Sequence, residues 1–377
     1  MKNDKDKKIR VGITHGDFNG ISYEIILKTI GDPRTLDLYT PVVYGSSKVA
    51  SFIRKKFQLG DLNLNIIKGG EQISSKRPNL INCCEEQDIK IELGTSSKVA
   101  GDFAFQALEN CVNDLKEKTI DVVVTAPINK KNIQSEEFTF PGHTEYFAEK
   151  FNAKEHIMLM VHQNLRVGVV TGHIPLSEVP KTITQSTIIR KINQMHSSLL
   201  RDFGIDKPKI AVLGLNPHAG DDGLLGEEEQ NVIIPAIQKA RENDRLIYGP
   251  FPADGFFGGG DFKNYDGIIA MYHDQGLIPF KAIAAGAGVN FTAGLPIVRT
   301  SPAHGTAYSI ANKNIASTES IHEAIFLAID IHNNRIEYDE RNNNPLPFIL
   351  LEEMANADLK DEDIPDLPDE DLPLNAL

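Results

Sequence analysis

YDGIIAMYHD, Tyr265–Asp274, sets the reading of this chain. A short apolar run follows a Tyr-Asp-Gly start and stops on His273-Asp274, the pattern of a buried strand bounded by turn chemistry. Four other stretches have the same form: RVGITHG (Arg10–Gly16), DVVVTAP (Asp121–Pro127), LRVGVVTGHIP (Leu165–Pro175) and KIAVLGLNPH (Lys209–His218). Between and beyond them, Tyr23–Ile30, Ala100–Lys118, Thr144–Phe151, Lys181–Phe203, Glu227–Asn243 and Ile321–Asn333 read as helices. This alternation predicts an α/β chain built on a central, mostly parallel sheet with helices on its faces. Gly60–Leu93 is more polar, with short strand-like runs. Several strands end in Gly, Pro, His or Asp, and in open α/β sheets the carboxyl ends of strands are where ligands bind.

The 377 residues carry 41% apolar and 24% charged side chains, enough for a sizeable core and unlike a disordered chain. The net charge of −13 argues against a nucleic-acid partner. Much of the acid excess sits in Leu351–Leu377, where ten acids face one base, Lys360, among three prolines. That segment reads as a weakly ordered acidic tail following one catalytic unit over residues 1–350. Three cysteines, Cys83, Cys84 and Cys111, support neither a disulfide framework nor a thiolate metal site. With no signal-like or membrane-spanning apolar run, the expected location is the reducing cytosol.

Three histidines stand directly past strong apolar runs: His173, His218 and His273. Three neutral imidazoles with an open position make a catalytic metal site. The alternative is three loop histidines with no common partner. The spacing, which lacks H-x-x-x-H, leaves both open. Asp274 and Asp254 are placed to orient an imidazole or to ligate, or else serve as turn residues.

FPGHTEYFAEK places His143 and Thr144 where a helix opens, a position suited to a phosphate or carboxylate and equally to a Thr N-cap. Between Gly276 and Pro302 the formal charges are Lys281 and Arg299, both positive, in a Gly/Pro-rich stretch that also holds Asn290 and leads to His304. Isolated bases in apolar surroundings call for an anion. The competing account pairs them with acids such as Asp266 or Asp274. No G-x-G-x-x-G, P-loop, G-x-S-x-G or H-E-x-x-H occurs. GDDGLLGEEE (Gly220–Glu229) lacks EF-hand spacing and reads as an acid-led helix start.

TAPINK (Thr125–Lys130), PGHTEYFA (Pro141–Ala148), TGHIPL (Thr171–Leu176), GLNPHAG (Gly214–Gly220), GPFPAD (Gly249–Asp254), AMYHDQGLIPFK (Ala270–Lys281) and GVNFTAGLPIVRTSPAHGTA (Gly288–Ala307) together resemble the 4-hydroxythreonine-4-phosphate dehydrogenase family of vitamin B6 biosynthesis. The resemblance runs from about Val11 to about Asp330. It implies a two-lobed fold similar to isocitrate and isopropylmalate dehydrogenases, with a cleft between the lobes. It also implies a homodimer whose active sites lie at the subunit interface. A divalent metal, zinc first and magnesium or cobalt as alternatives, would be held by His173, His218 and His273, one from the partner chain. His143, Thr144, Lys281, Asn290 and Arg299 would hold the phosphorylated substrate. NAD or NADP would bind without a Rossmann fingerprint.

The implied reaction oxidises 4-phosphohydroxy-L-threonine to a 2-amino-3-oxo acid, which loses CO₂ to give 3-amino-2-oxopropyl phosphate. Asp274 and Lys281 are the candidate proton acceptors. Three features depart from the family: His15 and Phe18-Asn19 in THGDFNGIS, Ala303 where an Asp is usual, and the acidic tail. The first two keep a related substrate in view, threonate or erythronate 4-phosphate. From other classes, a metal-dependent phosphohydrolase or a non-redox binder of phosphorylated ligands is the rival.

Overall fold

The structure is a computed structural model that describes residues 8–60, 62–84, 89–242 and 244–343. Leu351–Leu377, the expected tail, lies outside the described residues. The described residues up to Tyr338 form one compact unit. A second begins at Asp339, and its described part is the exposed end of the Glu319–Asn342 helix.

Twelve strands form one sheet: β1 (Arg10–Thr14), β2 (Thr40–Gly45), β3 (Asn65–Ile67), β4 (Asn79–Asn82), β5 (Val122–Thr125), β6 (Ile157–His162), β7 (Leu165–Thr171), β8 (Lys209–Leu213), β9 (Leu246–Phe251), β10 (Gly267–Tyr272), β11 (Val289–Ala293) and β12 (Arg299–Pro302). Their order is β3-β4-β2-β1-β5-β12-β11-β6-β7-β10-β8-β9. The wings β3 to β12 and β7 to β9 are each parallel within themselves. Antiparallel β11 and β6 join them, so the mostly parallel reading holds, with a reversal of direction at the centre. The reversal is made by a two-residue hairpin: His162 pairs with Leu165, and Gln163 takes a positive φ of 50°.

The wings are strands because their residues are buried on both faces: all six residues of β2 and all four of β5 are buried. On one face of the second wing, Ile188, Ile192 and Met195 of the Gln185–Arg201 helix join the core with Ile157, Leu159 and Val161 of β6. On the other, Leu277 and Phe280 of the His273–Ala284 helix cluster with Met160, Val167 and Val169. At the sheet junction Met158 of β6, Asn290 of β11 and Arg299 of β12 line a cavity together with His143 of the His143–Lys150 helix.

Two expectations change. The helix expected over Lys181–Phe203 is broken at Ile183, because Thr184 caps the Gln185–Arg201 helix in a reciprocal box with Thr187. The Gly/Pro-rich stretch between Gly276 and Pro302 holds more regular structure than its composition suggests. Lys281 is on the His273–Ala284 helix and Arg299 opens β12. That helix tolerates Gly276 because the missing Cβ lets it press on the sheet: a Cβ there would stand 2.9 Å from Val167 and 3.0 Å from Ala270.

Candidate active site

The ends of β5, β7 and β10, the middle of β6 and β11, and β12 together enclose a cavity of about 510 Å³. His143, Thr144, His173, His273, Lys281, Asn290, Arg299 and His304 all line it. Asp274, Asp254 and His218 do not. Lining residues not singled out from sequence are Lys130, Glu145, His156, Lys191 and Ser301. Lys130 follows β5 within TAPINK, so the same strand-end argument points to it. Lys191 lies on a helix and reaches the carbonyl of His156 with its Nζ at 2.9 Å, which no local pattern signals.

Arg299 is 2% exposed and pairs with no acid among the described residues. Its guanidinium donates to Thr125 Oγ1 (2.7 Å), Thr292 Oγ1 (3.1 Å), Ser301 Oγ (3.0 Å) and His143 Nδ1 (3.1 Å). The acids offered as competing partners are used elsewhere: Asp266 accepts from Lys209 N, and Asp274 Oδ1 meets His273 Nδ1. Burial without a counter-charge pulls the Arg299 pKa down to about 9, with Glu145 opposing the shift. The group stays cationic at neutral pH. Because Nδ1 of His143 accepts from Arg299, the ring proton belongs on Nε2. Burial, then Arg299 and Lys130, hold the His143 pKa well below the usual range, so the ring is a neutral donor.

Thr144 is not the N-cap. Gly142 is, and the side chain of Thr144 turns toward Thr292, with 3.4 Å between the hydroxyls. The first N–H groups of the His143–Lys150 helix have no partner within the helix, as at any helix start. Four buried polar atoms of the lining lack partners among the described residues: His143 Nε2, His156 Nδ1, Asn290 Oδ1 and His304 Nε2. Unsatisfied buried groups are rare, and their gathering in one cavity marks a ligand site. Glu145 is the one acid in the described lining, against Lys130, Lys191, Lys281 and Arg299.

The rings of His173 and His273 stand 5.4 Å apart, centroid to centroid. Two imidazoles sharing one tetrahedral cation would have ring centres about 5 Å apart, so this pair fits a metal. Asp274 Oδ1 lies 2.7 Å from Nδ1 of His273, which fixes the ring and leaves Nε2 as the free donor atom. Burial, then Lys130 and His273, lower the His173 pKa, favouring the neutral ring a metal needs. Among the described residues, no three His, Cys, Asp or Glu groups of one chain come together. His218 stands apart from this pair, in the turn after β8. There His218, Ala219, Gly220, Asp221 and Asp222 have φ of 53°, 52°, 84°, 44° and 55°. Left-handed backbone costs a non-glycine residue about 1–2 kcal/mol. Four such residues flanking one glycine persist only where other contacts offset the strain.

The departures in the first loop are structural. His15, Asp17 and Asn19 are fully buried. Asp17 accepts from Tyr308 (2.6 Å) and Asn132 (2.7 Å), tying this loop to the segment after β5. Ala303 lines the cavity and so leaves it without an acid at that point.

Residues 37–328 match the family model described as Pyridoxal phosphate biosynthetic protein PdxA. The chain belongs to this family. The matched stretch begins after the Thr14–Ser22 loop. A 4-hydroxythreonine-4-phosphate dehydrogenase of Bacteroides thetaiotaomicron is 49% identical, over 94% of this chain and 97% of its own. A D-threonate 4-phosphate dehydrogenase of Cupriavidus necator is 39% identical, over 84% and 95%. The crystal structure of 4-hydroxythreonine-4-phosphate dehydrogenase from Klebsiella pneumoniae superposes with a TM-score of 0.75 at 33% identity, covering 87% of this chain and 98% of that one. Cys83, Cys84 and Cys111 of this PdxA family member form no disulfide among the described residues. No described helix is long and apolar enough to cross a membrane.

Proposed function

We propose that the protein is an NAD- or NADP-linked dehydrogenase of 4-phosphohydroxy-L-threonine, forming the 2-amino-3-oxo acid that decarboxylates to 3-amino-2-oxopropyl phosphate. One observation carries the proposal: a buried arginine without an acid, beside four orphaned polar atoms, in a cavity lined by four cations and one carboxylate. Such a cavity is short of one anion. Arg299, Nε2 of His143 and the start of the His143–Lys150 helix hold the phosphate. Asn290 binds a donor of the substrate through Oδ1.

His173 and His273 fit a divalent cation, zinc first, with His218 of a second copy as third donor. A cation held there would make the substrate hydroxyl easier to deprotonate, and NAD or NADP would supply the hydride acceptor. Lys281, which lines the cavity and has no ion-pair partner among the described residues, is the proton-transfer group. Asp274 orients His273 from outside the cavity.

The homodimer is supported by exposed apolar side chains beside all three histidines: Ile174 and Leu176, Leu224 and Leu225, and Ile278. Exposed apolar side chains of this kind, near the histidine pair and near His218, are what a second copy would cover. Light scattering on the purified protein is expected to give twice the 41.7 kDa chain mass. A monomer would leave His218 without a role. Three cysteines without a disulfide among the described residues suit a reducing compartment, the cytosol.

Ala303 and the shortage of acids favour one second reading, a phosphorylated sugar acid such as threonate or erythronate 4-phosphate, which has no amine to neutralise. A panel of the three substrates with both cofactors separates the readings by kcat/KM. Cofactor reduction supports a dehydrogenase, whereas phosphate release without reduction would refute it.

A further inference from the structure

The left-handed turn that carries His218 is held from behind by one buried carboxylate. Glu229 is 1% exposed. Its Oε1 accepts from the backbone N–H groups of Leu215 (2.7 Å) and Asn216 (2.8 Å), and its Oε2 accepts from the side-chain amide of Asn216 (2.9 Å). The carbonyl of Asn216 in turn accepts from Ala219 N, closing the turn around His218. The carboxylate also fills the inside of the turn, since a Cβ on Gly220 would come within 2.7 Å of Oε2. No lysine or arginine pairs with Glu229 among the described residues.

The helix is built to deliver this residue. Glu229–Ile233 is a π-turn that leads into the Ile234–Ala240 helix. Pro235 lacks an N–H and would crowd the carbonyl of Asn231 in a regular α-helix, and the wider turn relieves that conflict. A buried carboxylate that neutralises no cation is costly, and a neutral acceptor would hold a turn without that penalty. Its charge has a use if a cation gathers on the other side of the turn.

We propose that Glu229 is a positioning residue: its carboxylate locks Leu215 and Asn216 so that the strained turn presents His218 to a metal ion. This rests on His218 being a ligand, and the experiment separates the two claims. The full-length protein is stripped with a chelator and titrated with Zn²⁺ against a chromophoric competitor, as wild type, His218→Ala, Glu229→Gln and Glu229→Ala. Substitutions behind a metal ligand typically lower affinity about 10–100-fold. Glu229→Ala is expected in that range. Glu229→Gln, which keeps one oxygen for the two backbone donors but loses the charge, is expected to fall between it and wild type. Circular dichroism of metal-free Glu229→Gln is expected to match wild type, a combination that a purely structural role would not give. Wild-type Zn²⁺ affinity in the Glu229 variants, with loss in His218→Ala, would overturn the inference and leave the ligand assignment standing. Undiminished affinity in His218→Ala would overturn both. If Glu229→Ala does not fold, Glu229→Gln decides by the same comparison.

Discussion

Two buried arginines, Arg299 and Arg335, are equally hidden and have opposite surroundings. Arg335 is 6% exposed and meets Asp202, itself 3% exposed, with Nε 2.6 Å from Oδ1. Its Nη1 donates to the carbonyl of Leu295, and Ser198 donates to the other oxygen of Asp202. That region is complete within one chain. Arg299 is surrounded by three hydroxyl groups and a ring nitrogen, none of which carries charge. The pair stabilises the fold, and the lone cation stores an affinity for something outside it. Burial alone therefore does not distinguish a structural arginine from a functional one. The presence or absence of the chain's own counter-charge does.

The largest effect should come from breaking the complete region. Arg335→Ala strands a buried carboxylate and is expected to destabilise the fold by about 3–5 kcal/mol. Arg299→Met removes a charge that had no partner, and should change stability by no more than about 1–2 kcal/mol. Denaturant melts compare the two directly. If Arg299→Met proves as damaging as Arg335→Ala, Arg299 is structural. The functional outcome reverses. Losing two charge-assisted bonds of about 1.5 kcal/mol each predicts that Arg299→Met weakens phosphorylated substrate by roughly 100-fold, with little change for a dephosphorylated analogue.

A third buried base sharpens the contrast by having no counter-charge and no cavity. His15 is fully buried, and burial drives its pKa from 6.5 to about 4, partly opposed by its hydrogen bond to Phe103 O. The folded-state pKa lies below the unfolded one. The stability of the neutral ring is thus present above pH about 6.5 and is lost as pH falls toward about 4. The interval corresponds to roughly 3 kcal/mol. His15→Phe should flatten that acid limb in melts at pH 7, 6, 5 and 4, and an unchanged limb would assign it to other groups. Inorganic phosphate should act on the Arg299 region alone. At a hundred times its Kd it should stabilise wild type by about 2.7 kcal/mol and leave Arg299→Met unaffected.

The legible parts of the sequence were those where one physical signal dominated. Buried β-branched runs announced β1, β5, β7, β8 and β10, and their polar ends announced His173 and His273. β12 is four residues long, RTSP, with no apolar alternation, so nothing local marks it as a strand. β6 and β11 pair with each other across more than a hundred residues of chain, and that central contact follows from the fold rather than from local composition. His156 and Lys191 reach the cavity from a strand entrance and a helix whose own patterns serve the core. Charge isolation within Gly276–Pro302 pointed to Lys281 and Arg299 although both lie in regular elements, because the missing acid is a property of the sequence.

The smallest effect tests how Arg299 sets its neighbour. Arg299 donates to Nδ1 of His143, so the ring offers one donor, Nε2–H, and burial with two nearby cations keeps it from taking a second proton. One hydrogen bond to an anion is worth about 1.5 kcal/mol at the low end, so His143→Phe should weaken phosphate binding about tenfold. A permanently neutral donor contributes the same amount at every pH. The ratio of wild-type to His143→Phe affinity should therefore be constant from pH 6 to pH 8, with the titration of phosphate itself cancelling in the ratio. A ratio that grows as pH falls would mean that the ring becomes charged in the site. Arg299 would then be competing with His143 for the anion rather than fixing its proton.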